Sequence, residues 1–401
     1  MSRQFVSEYV AKQLLGARVL DAVADAAAAP VIGTHNGAFH CDETLACGLL
    51  RCSQQFSPAN ILRTRDATAL EKCHIVVDVG GVYDGVALRF DHHQSSFHGT
   101  MTTPKATYHT RLSSAGLLYK HFGRGIIQRY VEAALASPYR EQLLEAGNWA
   151  PSKKNLSEQE LDTLYDIVYR NFVEHIDGID NGVNAYGPAE VEGEGNASEA
   201  SAAAAAATSS LSSSCVRKYS VTTTLSDRIG RLMPWWNEPG NDSAECEKAA
   251  FLQAMELATS EFFHAVHYHA FAWLPARGIV EAAFLDATRV HESGRIVVFG
   301  DRFCPWKDHL LELEAEHGKV GHVLYVLFSD KKNWRVQAVP KDVSGFENRK
   351  PLPWRGLRDE ELSKASGVDG GIFVHLSGFI GGNKTYEGAL QMAVKALTVV
   401  N

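Results

Sequence analysis

Short apolar runs that end in histidine or aspartate are the feature of this sequence that most constrains its fold. The runs and their polar residues are Val31–Thr34 before His35, Ile75–Val79 with Asp78, and Val86–Phe90 before Asp91. Alternation of such runs with helical stretches is typical of buried strands in a largely parallel sheet. The sequence therefore predicts an α/β domain whose polar side chains meet at the carboxyl edge of the sheet, where ligands of these folds bind.

The first polar cluster places His35, His40 and Asp42 within eight residues of one another. A loop with this spacing can wrap one ion, and a mixed imidazole and carboxylate set favours Mn²⁺, with Mg²⁺, zinc or cobalt as alternatives. The other interpretation is an ordinary polar loop in which Asp42 caps a helix predicted from Glu43 to Cys52. Both interpretations stay open at this point.

Two further clusters follow the second and third runs. Asp78 is either a buried carboxylate that needs a cation or part of an Asx turn with Gly80 and Gly81. The Asp91–His93 run can supply a metal ligand, an orienting carboxylate and a general acid, or it can be a solvated surface segment. These residue types favour metal-assisted chemistry.

A fourth cluster, Asp177 and Asp180, lies at the end of an amphipathic helix predicted over Leu161–Ile176. The two carboxylates share a face if the helix continues through them, although the adjacent glycines favour its termination. Four clusters at the ends of predicted elements together indicate one site. Two ions about 3.5–4 Å apart, sharing a bridging carboxylate, would suit hydrolysis of a phosphate ester.

Composition divides the chain into segments. Residues 188–214 are rich in Glu, Ala, Ser and Gly and predict a flexible insertion. Beyond it, periodicity predicts helices at 245–274, 306–316 and 384–398, with strands at 279–287, 295–299, 321–328, 334–339 and 371–376. The predicted segments are an extension over 1–30, a first α/β domain over 31–187 and 215–275, the insertion between them, and a smaller α/β domain over 276–401.

The second domain carries candidate substrate contacts. A glycine-rich loop predicted over Ser377–Thr385 could bring backbone N–H groups to a phosphate. The candidates are Arg335, Arg355, His375, Gly381, Gly382, Asn383 and Lys384. Trp334 and Trp354, each followed by arginine, could stack bases of single-stranded RNA or belong to the core. Trp235 and Trp236 are predicted to pack.

Charge and hydropathy exclude some classes of protein. The formal net charge of −8 argues against a strong duplex-DNA binder. No apolar run approaches the roughly 20 residues that cross a bilayer, and the N-terminus lacks the apolar stretch of a secretory signal. We therefore expect an intracellular protein without a membrane partner. The choice among mitochondrion, nucleus and cytoplasm, and the oligomeric state, stay open.

Beyond these patterns, the sequence resembles the Myg-type (melanocyte-proliferating-gene) family within the DHH phosphoesterase superfamily. The resemblance begins at Val31 and is carried by GTHNGAFHCDE, DVGGVYD, RFDHHQSSF, HIDGIDNG, NWRVQAVP and LSGFIGGNKTYEGAL. It implies a DHH domain followed by a substrate-binding domain. The implied activity is 3′-to-5′ exonuclease cleavage of single-stranded RNA by metal-activated water. Alternatives are a small-molecule phosphoesterase or pyrophosphatase, and a non-catalytic metal-stabilised binding protein.

The resemblance also implies roles for individual residues. The implied metal ligands are His35, His40, Asp42, Asp78, His92 and Asp177, and His93 would lie near the scissile phosphate. Together with Asp91 and Asp180 from the clusters above, His93 makes up the set of candidate catalytic residues. His40 stands where the wider superfamily usually has an aspartate. Because imidazole replaces an anionic oxygen there, the number of bound ions stays open.

Overall fold

The computed structural model describes residues 2–26, 28–147, 149–184, 220–241, 243–300, 303–343 and 345–399. The chain divides into two compact units, Met1–Arg140 with Lys154–His267, and Glu141–Lys153 with Tyr268–Asn401. The insertion predicted over 188–214 lies outside the described residues. Within the described ranges, every helix is too short or too polar to cross a membrane.

The first unit is built on a six-stranded, largely parallel sheet. Its strands are β1 (Val19–Leu20), β2 (Val31–Thr34), β3 (Asn60–Arg63), β4 (Ile75–Val77), β5 (Tyr83–Asp84) and β6 (Arg89–Phe90), and a separate hairpin is formed by β7 (Thr100–Thr102) and β8 (Thr107–Arg111). The sheet order is β1-β3-β2-β4-β6-β5, and only β5 runs antiparallel to its neighbour. The predicted parallel α/β sheet is confirmed, although its second and third predicted strands are shorter than expected.

The order of the central strands brings the polar clusters together. Strands β2, β4 and β6 are neighbours, so the residues after them, His35, Asp78 and Asp91, leave the same edge of the sheet. Asp78 adopts a φ of 60°, a left-handed conformation that is strained for a residue with a side chain. Backbone strain of this kind is common at functional sites.

Among the described residues up to Tyr268, ten α-helices begin. They are α1 (Ser2–Leu14), α2 (Cys41–Cys52), α3 (Ala67–Glu71), α4 (Ser114–Leu118), α5 (Arg124–Leu135), α6 (Arg140–Ala146), α7 (Glu158–Val168), α8 (Glu174–Asp180), α9 (Leu225–Gly230) and α10 (Ala244–Tyr268). Helix α2 begins two residues earlier than predicted, because the Glu43 carboxylate accepts the His40 backbone N–H at 2.8 Å and completes a capping box.

The helix predicted over Leu161–Ile176 is longer than expected. A π-helical turn, Tyr169–Val173, joins α7 to α8, and the helix continues to Asp180. The extra residue in this turn shifts the helical phase of everything after it. Asp177 and Asp180 both follow this turn, so the turn changes where they point relative to α7 and leaves their own spacing of three residues unchanged.

The second unit contains a five-stranded mixed sheet. Its strands are β9 (Ile296–Val298), β10 (Tyr325–Ser329), β11 (Trp334–Ala338), β12 (Gly371–Val374) and β13 (Ile380–Asn383), in the order β12-β13-β11-β10-β9. Its helices are α11 (Leu274–Leu285), α12 (Ala287–Val290), α13 (Lys307–Glu316), α14 (Asp359–Ser366) and α15 (Tyr386–Thr398). Apolar cores lie against the sheet, one including residues of α11 and α13 and the other residues of α14 and α15.

Two predictions for this unit are wrong. The strand predicted over 279–287 is largely helix α11, because Ala276, Val280 and Phe284 are buried at intervals of four residues. The glycine-rich loop is also replaced in part by a strand, since Gly381 and Gly382 lie in β13, which pairs with β11 on one side and β12 on the other. Pairing on both sides uses the backbone groups that the loop would have offered to a phosphate.

Candidate metal centre

Two histidines face opposite oxygens of one carboxylate in the first unit. His35 Nε2 lies 3.3 Å from Asp78 Oδ2 and 3.2 Å from Glu43 Oε1. His92 Nε2 lies 3.3 Å from Asp78 Oδ1 and 3.2 Å from Asp180 Oδ2. The two oxygens of Asp78 therefore face different sets of donor atoms, which is the arrangement of a carboxylate that can bridge two ions.

The donor atoms of the region form three overlapping groups in which all atoms lie within 4.8 Å of one another. The groups are His35, His40, Glu43 and Asp78; Asp78, His92 and His93; and His40, Asp42 and Asp180. Asp78 and His40 each belong to two groups. The shared members make one continuous cluster of imidazole nitrogens and carboxylate oxygens.

Unsatisfied buried atoms show that this cluster suits a cation. Both carboxylate oxygens of Asp42 are buried without a hydrogen-bond partner, as are both ring nitrogens of His92. His92 Nε2 lies close to two carboxylates, yet no well-oriented hydrogen bond forms between them. A buried carboxylate without a partner is strongly disfavoured, and a divalent ion between these atoms would remove that penalty.

Burial and the closeness of several carboxylates shift the pKa values of groups in the cluster. Burial, followed by the nearby charges of Asp78, Asp180 and Glu43, raises the pKa of Asp42 well above its ordinary value. Burial disfavours a charged His35, but hydrogen bonds with Asp78 and Glu43 more than offset it and raise the His35 pKa to about 10. Protons therefore neutralise part of the cluster, and a metal ion would displace them.

The pKa of His92 is also raised, to about 9, because contacts with Asp180 and Asp78 outweigh the effect of burial. Burial opposes ionisation of Asp78 as well, yet its contacts with both histidines hold its pKa below the usual range. Asp78 is thus the anion around which the two imidazoles are arranged.

Asp91 orients His93 without belonging to any of the three groups. Its Oδ1 accepts from the backbone N–H of His93 at 3.1 Å and lies 2.8 Å from His93 Nδ1. Its Oδ2 accepts from the backbone N–H of Gly81 at 2.6 Å. The Asp91 side chain is buried, whereas that of His93 is 63% exposed. Asp91 can hold a proton on Nδ1, which leaves Nε2 of His93 available to a ligand.

Asp177 is placed outside the cluster, in contrast to the role that the resemblance implies. Its Oδ1 accepts from the Ser113 backbone N–H, the Ser113 hydroxyl and the Gly116 N–H at 2.9, 2.7 and 3.1 Å. Its Oδ2 accepts from the Tyr169 hydroxyl at 2.9 Å. Burial raises its pKa to about 7, although these hydrogen bonds favour the charged form. Asp177 joins α8 to the start of α4, and Asp180, one turn later, reaches the cluster.

A pocket of about 440 Å³ opens beside the cluster, lined by His35, His40, Arg65, Asp78, Val79, Gly80, Gly81, Asp91, His93 and Gln94. Sequence reasoning missed Arg65 and Glu43. Arg65 follows β3 at the same sheet edge as the other clusters, so the rule that located them could also have located it. Glu43 is three residues after His40, the spacing of a capping box.

The candidate substrate residues belong to the second unit, and none of them is a member of the three donor groups. Arg335 pairs in the sheet with Gly382, and its guanidinium carbon lies 5.3 Å from the centre of the Phe373 ring. Asp330 forms an ion pair with Arg335, while Arg335 Nη1 is buried without a hydrogen-bond partner. A Cβ atom at Gly382 would collide with that nitrogen. The glycine therefore makes room for the arginine.

The remaining candidates differ in exposure. Arg355, His375 and Lys384 are exposed, whereas the Asn383 side chain is buried and donates to the Asp369 carbonyl at 2.9 Å. Trp334 and Trp354 pack against the core that includes α14 and α15. The prediction that Trp235 and Trp236 pack is wrong, since they are 63% and 88% exposed. Polar residues lie near both tryptophans in the turn after α9, but this composition alone did not show that the two side chains are exposed.

Comparison with known proteins yields a family and several relatives. The family model MYG1_exonuc, described as "Uncharacterised protein family (UPF0160)", matches residues 31–397. A MYG1 protein of Caenorhabditis elegans is 44% identical over 376 residues, which cover 92% of this chain and 95% of that protein. Proteins named MYG1 exonuclease from Mus musculus and Homo sapiens are each 43% identical over 371 residues. These cover 91% of this chain, 84% of the mouse protein and 85% of the human protein.

Proposed function

This chain belongs to the MYG1 exonuclease family, and from that premise we propose that it hydrolyses phosphodiester bonds of single-stranded RNA from the 3′ end with divalent metal. The observation that carries the proposal is the cluster around Asp78, in which buried Asp42 and His92 atoms lack partners. We also propose that the first unit is a DHH domain and the second a substrate-binding domain.

The proposed metal ligands are His35, His40, Asp42, Asp78, His92 and Asp180. Asp180 takes the place that the resemblance gave to Asp177, because its carboxylate lies beside His92 and Asp42. Imidazole together with carboxylate favours Mn²⁺ over Mg²⁺. When bound, such ions lower the pKa of water and stabilise negative charge on a phosphate.

His93 is the proposed general acid. Asp91 holds the imidazole through Nδ1, so Nε2 can carry the proton that the leaving oxygen needs. Arg65 lines the same pocket, and its side chain forms no hydrogen bond or ion pair within the described residues. Its guanidinium is therefore free to bind a phosphate oxygen of the substrate.

Arg335 and Phe373 are the proposed RNA contacts of the second unit, since a guanidinium beside an aromatic ring can bind nucleotides by charge and stacking. We expect Arg335→Ala to raise the KM for single-stranded RNA about 10-fold. Cleavage of a nitrophenyl phosphodiester should be unchanged, because that substrate has no nucleotide to stack. Arg289→Ala, which removes an exposed arginine of the same unit, is the matched control. An unchanged KM for RNA in Arg335→Ala would contradict this contact.

The proposed activity is tested with a single-stranded RNA labelled at its 5′ end. With Mn²⁺ we expect a ladder that shortens from the 3′ end, which disappears with a chelator. Asp78→Ala should reduce the rate at least about 1,000-fold, because the carboxylate facing both histidines is lost. Turnover of only pyrophosphate or dinucleotides would favour a small-molecule phosphoesterase. Bound Mn²⁺ without cleavage of any of these substrates would favour a binding protein.

A further inference from the structure

An arginine–glutamate pair outside the ligand set holds the loop that carries His35 and His40. Arg63 is the last residue of β3, and Glu247 lies in the first turn of α10. The two side chains form an ion pair in which Arg63 is 4% exposed and Glu247 is 40% exposed. Both residues belong to the first unit, yet 184 positions separate them in the chain.

The pair forms hydrogen bonds with both backbone groups of one loop residue. Arg63 Nη2 donates to the Gly37 carbonyl at 2.6 Å, and Glu247 Oε1 accepts from the Gly37 N–H at 3.2 Å. Gly37 lies midway between His35 and His40 and adopts a φ of +87°, a conformation that glycine tolerates best. An unrestrained glycine would make this loop flexible. The hydrogen bonds from Arg63 and Glu247 to Gly37 therefore restrict the positions of both His35 and His40.

Two aromatic rings also contact the Arg63 guanidinium. The Arg63 guanidinium carbon lies 4.7 Å from the centre of the Phe251 ring and 5.7 Å from that of Phe39, and both rings are buried. Phe39 is the residue before His40, and its ring packs against Phe251 of α10 at 5.8 Å. The loop is thus fixed at two neighbouring points by the same arginine.

We propose that Arg63 and Glu247 are positioning residues that hold His35 and His40 in the geometry required for metal binding. This inference rests on the proposed metal centre. Fixing the loop before an ion arrives lowers the entropy lost on binding. Residues that orient ligands in this way commonly change metal affinity by 10-fold or more when they are replaced.

The test is a Mn²⁺ titration of the full-length protein, followed by the electron paramagnetic resonance signal of free Mn²⁺. Glu247→Gln keeps an oxygen for the Gly37 N–H but removes the charge facing Arg63, and Glu247→Ala removes both. We expect Mn²⁺ affinity to fall in that order, by about 10-fold for Glu247→Ala. Glu261→Gln is the control, because Glu261 lies on the same helix and pairs with Arg228 at 2.8 Å.

The outcomes separate the inference from the proposed function. If the wild-type protein binds no Mn²⁺, the metal centre itself is wrong. If the wild type binds Mn²⁺ and Glu247→Ala binds it equally well, the metal centre stands and the positioning role is wrong. A lower melting temperature of the metal-free Glu247→Ala variant with unchanged Mn²⁺ affinity would likewise show a merely structural pair.

Discussion

Replacing Asp42 with asparagine is expected to stabilise the metal-free protein and to abolish Mn²⁺ binding together with activity. Asp42 is fully buried, both of its oxygens lack partners, and three other carboxylates lie nearby. Asparagine keeps the shape but removes the charge. We expect the free energy of unfolding at pH 7 to rise by about 1–3 kcal/mol, measured by urea denaturation with a chelator present.

The size of the effect depends on pH. The pKa of Asp42 is raised in the folded state, so between about pH 4 and that higher value the unfolded chain loses the proton first. Stability from the neutral carboxyl is therefore present at low pH and is lost as the pH rises. The difference between Asp42→Asn and wild type should be small below about pH 4 and should grow above it.

Asp177→Asn is the matched control because it replaces a buried aspartate whose oxygens are hydrogen-bonded. The new amide group would face donors from Ser113, Gly116 or Tyr169. We expect this variant to lose about 1–3 kcal/mol of stability without a direct effect on the metal ligands. If Asp42→Asn is also destabilised in the metal-free state, Asp42 is a structural residue and not a ligand held in an unfavourable environment.

Replacing His93 with asparagine is expected to lower kcat for RNA cleavage by about 10²- to 10⁴-fold, because the variant lacks a group that can deliver the proton. The asparagine amide can still donate to Asp91, so the neighbouring backbone should keep its conformation. Single-turnover cleavage of 5′-labelled RNA at saturating Mn²⁺ measures the loss. Mn²⁺ affinity should stay within about 3-fold of wild type.

A metal titration of the same variant distinguishes an acid from a ligand. His93 Nδ1 lies 3.6 Å from Asp78 Oδ1 and belongs to a possible metal-binding group. A fall in Mn²⁺ affinity of more than about 10-fold would assign His93 to the metal instead of to proton transfer. Asp91→Asn should show a smaller loss of rate in the same assay, since it only weakens the orientation of the ring.

The apolar strands of the first unit could be predicted because buried parallel strands leave a continuous apolar run in the sequence. The same logic correctly indicated that His35, Asp78 and Asp91 follow strands at one edge. The family resemblance is confirmed over residues 31–397. These predictions succeeded because they depend on local sequence patterns, and the folded protein keeps the secondary structure that those patterns favour.

The departures arise where tertiary structure overrides a local pattern. Asp177 and Asp180 are three residues apart on α8, yet they have different partners, because the segments that face them are distant in sequence. Gly381 and Gly382 have loop-like composition, yet pairing on both sides makes them part of a strand. The contact between Arg63 and Glu247 joins distant segments, and no local pattern marks it.

The electron paramagnetic resonance spectrum of the wild-type protein saturated with Mn²⁺ tests the proposed metal centre most directly. Because the two oxygens of Asp78 face different donor atoms, we expect two Mn²⁺ per chain and a spin-coupled signal, as for the ions of a two-metal site. Asp78→Ala should abolish the coupling. If the wild type retains no more Mn²⁺ than Asp78→Ala, the cluster is not the metal centre.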